Sequence, residues 1–294
     1  FCFRKYLPKM KNVRNNIIKK IQLLIVNCTL LIFLFSCSSP NNEVASPDGK
    51  IRLSFNIDDE GFMYYDVKVN DSVFIDSSLL GFEAKNGLNL KNSFEITKTE
   101  FTSEDETWTQ IWGENKTIRN NYNEMAVHLE NEDSIFLVMR FRLFNDGLGF
   151  RYEYKVTDID SVIITDELTS FNIKENGTSW SIPADFDSYE HLYRTMPINE
   201  IEDANTPFTF KTKSGIYASI HEAALIDFPE MTLGLRQSKD KSLKSKVTEN
   251  QSSKFKAQSS KFKVQLAPYP DRKTKAIFTA ESQSITFKTP WRTI

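Results

Sequence analysis

The clearest alternation of apolar and polar residues lies on either side of the run Asn145 to Gly147. A period of two places successive side chains on opposite faces of a strand. Asp146-Gly147 is a strong hairpin signal, because glycine readily adopts the positive φ that tight turns require. The pattern therefore predicts an antiparallel hairpin with one face in a core. Its predicted core residues are Ile135, Leu137, Met139, Phe141 and Leu143 before the turn and Phe150, Tyr152 and Tyr154 after it.

Short alternating segments recur along the rest of the chain, for example at residues 51–57, 216–220 and 285–287. Turn-forming Asn, Asp, Gly, Ser and Pro separate them. After Pro40, no stretch of about twelve residues keeps a helical period. Many short strands with frequent turns predict an all-β fold, a two-sheet antiparallel β-sandwich.

A polar segment at about residues 237–263 interrupts this pattern. It contains the sequence QSSKFK twice, at 251–256 and at 258–263, after a lysine-rich and serine-rich run. Two copies with one Phe each cannot form a coiled-coil seam. We expect a duplicated, mobile and functionally neutral loop, since long surface loops cost little closure entropy. It would join a strand ending near Leu235 to one near Val264.

The amino terminus has the order of a lipoprotein signal peptide. Basic residues precede a short apolar run that ends at Ser36-Cys37, and the run is shorter than the ~20 apolar residues of a membrane span. Leu34 to Cys37 resembles a lipobox, in which the cysteine becomes the acylated first residue. We expect residues 1–37 to be upstream sequence and signal peptide, residues 38–45 a linker and residues 46–294 one domain. The expected location is the periplasm or the outer membrane, with a lipid anchor.

Composition narrows the class of protein. The net charge is −2 and no cluster of arginines marks a nucleic-acid reader, so nucleic acid is not an expected partner. Of the 3 cysteines, only Cys37 follows the expected cleavage site, and a lipidated cysteine leaves no disulfide. Stability must come from the core, for which 40% hydrophobic residues provide ample material.

Several blocks of sequence together resemble the amino-terminal domain of glycoside hydrolase family 97, the α-glucosidases and α-galactosidases of glycan-degrading Gram-negative bacteria. The blocks keep the family's order and cover nearly all of the chain after the signal. They are IWGENKTIRNNYNEM (111–125), NDGLGFRYEY (145–154), SIPADFDSYEHLY (181–193), SIHEAALIDFP (219–229) and TPWRTI (289–294).

The resemblance implies a super-sandwich of the galactose-mutarotase type. It also implies a last strand that continues past Ile294, and a catalytic (β/α)₈ barrel beyond it that supplies both catalytic carboxylates. We therefore expect no catalytic residue in this chain and no turnover by the chain alone. The barrel also decides between glucosides and galactosides.

The same resemblance implies one metal ligand. Family members hold calcium at the substrate mainly with barrel glutamates, and the amino-terminal domain adds one glutamate whose position matches Glu190. A hard cation prefers six to eight oxygens, so Ca²⁺ is expected as a cofactor only together with the barrel. The expected partners are the barrel, an α-linked glycan and the membrane.

Further polar and aromatic residues are candidates for contacts. His221 and Glu222 end an alternating strand and are assigned either to substrate binding or a domain interface, or to a structural hydrogen-bonded pair. Arg119, Asn120, Asn123 and Glu124 are expected to form a buried polar network that fixes a corner, rather than to contact sugar. Trp112 and Trp180 are either core residues or stacking platforms for sugars.

Three readings of the function remain open at this point. The first is an accessory domain of a family 97 α-glycosidase that packs on the barrel. The second is a free-standing carbohydrate-binding surface lipoprotein without hydrolase activity. The third is a purely structural surface lipoprotein.

Overall fold

The computed structural model describes residues 42–85, 87–235, 260–268, 273–280 and 284–294. The described residues form β-strands and a single 3₁₀ turn, Ile198–Glu200. The strands in chain order are β1 Glu43–Ala45, β2 Ile51–Ile57, β3 Met63–Val69, β4 Ser72–Leu79, β5 Phe82–Ala84, β6 Asn89–Leu90, β7 Phe94–Thr109, β8 Thr117–Asn131, β9 Phe136–Leu143, β10 Leu148–Thr157, β11 Ser161–Glu167, β12 Ser170–Ile173, β13 Gly177–Ser181, β14 Arg194–Pro197, β15 Asp203–Asn205, β16 Phe208–Thr212, β17 Tyr217–Ala223, β18 Met231–Leu235, β19 Ser260–Leu266, β20 Ala276–Thr279, β21 Ser284–Lys288 and β22 Trp291–Thr293.

Two large antiparallel sheets make up the fold. An 8-stranded sheet has the order β1-β2-β3-β4-β12-β19-β18-β15. A 10-stranded sheet has the order β14-β13-β16-β17-β22-β10-β9-β8-β7, and β21 also pairs with β10. A 4-stranded sheet, β20-β11-β5-β6, completes the described structure. The expected all-β sandwich is confirmed.

Aromatic rings from the two large sheets meet in the core. Ring centroids of Phe55 on β2 and Phe141 on β9 are 5.7 Å apart, and those of Tyr65 on β3 and Phe150 on β10 are 5.0 Å apart. Offset and tilted pairs of this kind add stability beyond the area they bury. All eight predicted hairpin core residues are buried: Ile135, Leu137, Met139, Phe141, Leu143, Phe150, Tyr152 and Tyr154.

The β9–β10 hairpin forms as predicted, but its glycine acts for a different reason. Gly147 is not among the residues with positive φ. A Cβ at Gly147 would lie 2.5 Å from the carbonyl oxygen of Ile294, which is closer than a real Cβ contact. The glycine is therefore required for the close approach of another strand, and the conformational argument made from the sequence was wrong at this residue.

Two segment boundaries differ from the sequence prediction. Residues 43–45, placed in the linker, form β1 and pair with β2. Residues 260–263, placed in the polar insertion, belong to β19, and Phe262 in the second QSSKFK copy is fully buried. Its ring centroid lies 5.0 Å from that of Phe208. One copy of the duplicated sequence thus supplies a core strand, while residues 236–259 lie outside the described residues.

Strand β22, which contains three of the six residues of TPWRTI, lies inside the 10-stranded sheet. It pairs with β10 on one side and with β17 on the other. The signal segment and the lipidation residue Cys37 lie outside the described residues. No helix in the described part of the chain has the length and apolar character of a membrane-crossing segment.

Candidate functional site

The residue matched to a calcium ligand, Glu190, lies on an exposed loop between β13 and β14. This loop, residues 182–193, is called the Glu190 loop below. The Glu190 backbone N–H donates to Ser188 Oγ at 3.0 Å. Within the described ranges, no hydrogen bond or ion pair engages the Glu190 carboxylate. The carboxylate is therefore free to contact something outside the described structure.

Polar contacts fix the base of the Glu190 loop. Asp185 Oδ2 and His191 Nε2 are 2.9 Å apart, which ties the two sides of the loop together. The Asp185 N–H donates to Asn205 Oδ1 at 3.2 Å on β15. The Asp187 N–H and the His191 ring lower the pKa of Asp185, so its carboxylate stays ionised and continues to accept these bonds.

Large apolar side chains crowd the outer part of this loop and the loop after β17. Large exposed apolar side chains on two adjoining loops indicate a site of interaction. We call this set the apolar patch. Its members and their exposed fractions are Phe186 39%, Tyr189 49%, Leu192 91%, Tyr193 66%, Leu225 44% and Ile226 71%.

One hydrogen bond connects the two loops of the patch. The Tyr189 hydroxyl donates to Glu230 Oε2 at 3.0 Å. Partial burial, this bond and the charges of Glu230 and Glu222 raise the pKa of Tyr189 to about 12. The hydroxyl therefore remains a donor at neutral pH. Glu190 follows Tyr189 directly, so this bond restrains its position.

His221 and Glu222 do not form one pair, because consecutive strand residues point to opposite faces. His221 lies exposed on the outer face of the 10-stranded sheet, and partial burial lowers its pKa. Glu222 points inward. Its Oε1 accepts from the Met231 N–H at 3.1 Å, and its Oε2 accepts from Arg292 Nη1 at 2.7 Å.

Arg292, on β22, is the largest fully buried side chain described. Its Nε donates to Glu167 Oε1 at 3.0 Å and its Nη2 donates to Glu167 Oε2 at 2.6 Å. With Glu222 as a third group, one guanidinium holds two carboxylates from distant parts of the chain. The sequence analysis missed this cluster. Its signal in the sequence was one charged residue, Arg292, within TPWRTI, and nothing local indicated Glu167 as its partner.

The outer face of the 10-stranded sheet carries aromatic rings. The Trp180 and Tyr217 rings are nearly parallel, at 9°, with centroids 6.3 Å apart. Farther along the sheet, the guanidinium groups of Arg142 and Arg151 lie over the Trp291 ring. Their Cζ atoms are 4.8 and 4.6 Å from the ring centroid. Trp180 therefore packs against a surface aromatic residue and is not part of the core between the sheets.

Of the four residues expected in a buried polar network, only Glu124 is buried; Asn120 and Asn123 are half-buried. Glu124 is buried and accepts from Arg140 at 2.5 Å and from Arg142 at 2.6 Å. Arg119 is exposed and pairs with Asp105. Trp112 is 87% exposed, so it is not a core residue. Both Arg119 and Trp112 are exposed because β7 and β8 extend beyond the rest of their sheet.

A calcium site depends on how many oxygen ligands the chain brings together. Among the described residues, no group of three or more His, Cys, Asp or Glu side chains is arranged to hold a metal ion. Calcium needs six to eight oxygen ligands. The free and accessible carboxylate of Glu190 can supply at most two of these oxygens.

Comparison with known proteins identifies relatives. The model of the glycosyl-hydrolase 97 N-terminal domain matches residues 44–294. A glycoside hydrolase family 97 enzyme from Pseudoalteromonas sp. strain K8, solved as a variant in complex with panose, superposes with a TM-score of 0.70 at 33% identity. A structure of that enzyme with acarbose matches equally well.

These matches cover 85% of this chain but 35% of the enzyme chain, so the chain spans about a third of the length of its relatives. A β-arabinopyranosidase matches with a TM-score of 0.65 at 20% identity, and that likeness shows the fold alone.

Proposed function

Because the chain belongs to glycoside hydrolase family 97, as the match over residues 44–294 establishes, we propose that it is the accessory domain of an exported α-glycosidase and packs on a (β/α)₈ catalytic barrel. The relatives in complex with panose and acarbose support an α-linked glycan as the substrate of the whole enzyme. In this proposal the catalytic carboxylates lie on the barrel, and the chain alone hydrolyses no glycoside.

The observation that carries this proposal is the apolar patch around Glu190. Leu192 is 91% exposed and Ile226 is 71% exposed, on loops whose bases are held by hydrogen bonds. A loop that is fixed at its base and apolar at its surface is arranged to meet another protein surface. The barrel is the partner that the family supplies.

Glu190 is proposed to extend across that interface as a calcium ligand. When bound, calcium orients and polarises the sugar at the scissile bond. The contribution of this chain is to present one carboxylate at a fixed place. The Asp185–His191 contact holds the loop. The hydrogen bond from Tyr189 to Glu230 restrains the neighbouring Glu190, so that its side chain is presented at the surface in a fixed place.

The test of this assignment uses the chain fused to the remainder of a family 97 enzyme. Hydrolysis of nitrophenyl α-glycosides is measured against calcium concentration for the parent, for Glu190→Gln and for the control Glu200→Gln, which alters an exposed glutamate on the 3₁₀ turn. Glu190→Gln should lower activity, with partial recovery in excess calcium, and should reduce the calcium-dependent rise in melting temperature. Equal calcium dependence in parent and Glu190→Gln would contradict the assignment.

Export and anchoring complete the proposal. The signal segment is proposed to place the protein in the periplasm or the outer membrane, with Cys37 acylated. One acyl chain binds a membrane only marginally, so stable anchoring requires more than one. Labelled fatty acid should be incorporated into the parent and lost in Cys37→Ala. Incorporation that persists in Cys37→Ala would contradict the anchor.

A second candidate function is carbohydrate binding by the free-standing chain. The Trp180–Tyr217 pair favours it, because Tyr217 is 65% exposed and aromatic faces stack on sugars. Isolated chain that binds a glycan array, with loss of binding in Tyr217→Ala, would support this reading. Absence of binding would contradict a free-standing carbohydrate-binding function and would be consistent with the accessory function.

A further inference from the structure

Strands β7 and β8 extend well past the rest of the 10-stranded sheet. They pair with each other from Phe94–Asn131 to Thr109–Thr117. Strand β9 covers β8 only over residues 123–130. Residues 104–122 therefore form a two-stranded projection, which we call the arm.

One face of the arm is held by polar side chains. Arg119 donates to both Asp105 oxygens, at 2.8 and 2.7 Å. Near the tip, Gln110 Nε2 donates to the Asn115 carbonyl at 2.6 Å. An isolated two-stranded hairpin is only marginally stable in water. These contacts favour the projecting shape but give the arm no core of its own.

The opposite face of the arm carries Glu106 and Asn120, hydrogen-bonded at 2.8 Å, nearer its base, and its large apolar side chains lie toward the tip. Trp108 lies directly across from Ile118 and is 46% exposed. At the tip, Ile111 is 99% exposed and Trp112 is 87% exposed. Side chains this large and this exposed on one projection are unusual in a protein surface that contacts only water.

The strand register places Trp108 and Ile118 on the same side as the outer face of the 10-stranded sheet. Ile118 and Tyr122 alternate with inward-facing positions, and the Tyr122 ring contacts Arg142 at 4.5 Å. Arg142 in turn contacts Trp291 on the outer face. The arm thus continues the aromatic outer face beyond the edge of the sheet.

The arm and Ile294 lie at the same end of the 10-stranded sheet, with β9 and β10 between them. Leu148 and Ile294 exchange backbone hydrogen bonds of 2.8 and 2.9 Å. Leu148 pairs with Leu143, which pairs with Asn123 at the point where the arm leaves the sheet. Any residues that follow Ile294 would therefore leave the sheet at the end from which the arm projects.

We propose that the arm is a clasp that closes on the catalytic domain of the same polypeptide and grips it with Trp108, Ile111 and Trp112. The proposal rests on the proposed function and adds a second contact to the apolar patch. Its occupant follows from two observations. The relatives carry about two thirds of their length outside the part matched here, since the match covers 35% of them. The arm also projects from the end of the sheet at which any chain following Ile294 would leave it.

Amide hydrogen exchange on the isolated chain and on the fusion tests the clasp. In the fusion, amides of residues 104–122 should exchange at least about tenfold more slowly than in the isolated chain, because docking suppresses local opening. The variant Ile111→Ser/Trp112→Ser should abolish this protection and leave that of the Glu190 loop. The control Val73→Ser changes an exposed residue, 42%, on the other large sheet and should alter neither.

Three results would overturn the clasp. Protection at the Glu190 loop with none at the arm would refute the clasp and leave the proposed function standing. Protection at neither place would refute both. Protection of the arm in the isolated chain that rises with concentration would make a second copy the occupant. Both tip side chains are almost fully exposed, so the isolated variant should melt like the parent, and Trp112→Ser alone serves as a second variant if it does not.

Discussion

Arg292 and Glu167 form a bidentate ion pair with both side chains at 0% exposure. Glu222 adds a second carboxylate to the same guanidinium at 2.7 Å. The cluster connects β22, the end of β11 and β17, and through Glu222 it also holds the first residue of β18. It therefore joins the strand that carries TPWRTI to the loop that forms part of the apolar patch.

Arg292→Met should destabilise the domain strongly, because it leaves buried carboxylates without a counter-charge. Removing one partner of a buried pair costs about 3–5 kcal/mol. The matched control is Arg119→Met, which breaks a bidentate pair that is 63% and 53% exposed and should cost at most about 1 kcal/mol. The free energy of unfolding in urea measures both. Similar losses for the two variants would contradict the role of the buried cluster.

Glu222→Gln should change how stability depends on pH. Burial raises the pKa of Glu222, and the neighbouring Glu167 charge adds to this effect, while Arg292 opposes it. Because the folded-state pKa lies above the unfolded value, the folded protein holds this proton more tightly. The resulting stabilisation is full below the unfolded pKa and is lost as pH rises through the folded pKa.

The measurement for Glu222 compares urea unfolding of the parent and of Glu222→Gln from about pH 4 to 7, a range that begins near the ordinary glutamate value. The parent should lose stability relative to the variant as the pH rises. Subtracting the two curves removes the titration of all other groups. A constant difference across this range would show that the pKa of Glu222 is the same in the folded and the unfolded protein.

Gly147→Ala should destabilise the β9–β10 hairpin, because its Cβ would lie 2.5 Å from the Ile294 carbonyl oxygen. Overpacking typically costs about 1–3 kcal/mol. Gly149→Ala is the control: its Cβ would meet Trp291 at 3.4 Å, an ordinary contact distance. Unfolding in urea should show a clear loss for Gly147→Ala and a smaller one for Gly149→Ala. A larger loss of stability for Gly149→Ala than for Gly147→Ala would contradict the close approach of Ile294 to Gly147.

Phe262→Ala should cost about 3–5 kcal/mol, since it empties a fully buried aromatic position. Phe255 occupies the equivalent place in the first QSSKFK copy, outside the described residues. If that copy belongs to the inserted loop, Phe255→Ala should leave the free energy of unfolding unchanged. Equal losses in the two variants would show that both copies contribute to the core.

The sequence by itself determined the strand hairpin and its buried face. Strict alternation over Ile135 to Tyr154 leaves one arrangement that buries the apolar side chains, and a slip of one residue would expose all of them. The family blocks likewise needed no coordinates, because their order along the chain was enough to indicate the amino-terminal domain of family 97. Local periodicity and ordered motifs are properties of the chain itself.

Only the tertiary structure decided which polar and aromatic residues meet. Arg292 and Glu167 are 125 positions apart, so no local pattern links them. Trp112 reads like a core residue, yet β9 ends before the arm and leaves it exposed. The register of β19 with β18 and β12 likewise places Phe262, in the second QSSKFK copy, in the core. These outcomes depend on pairing between distant strands, and that pairing is fixed by the burial of the whole core.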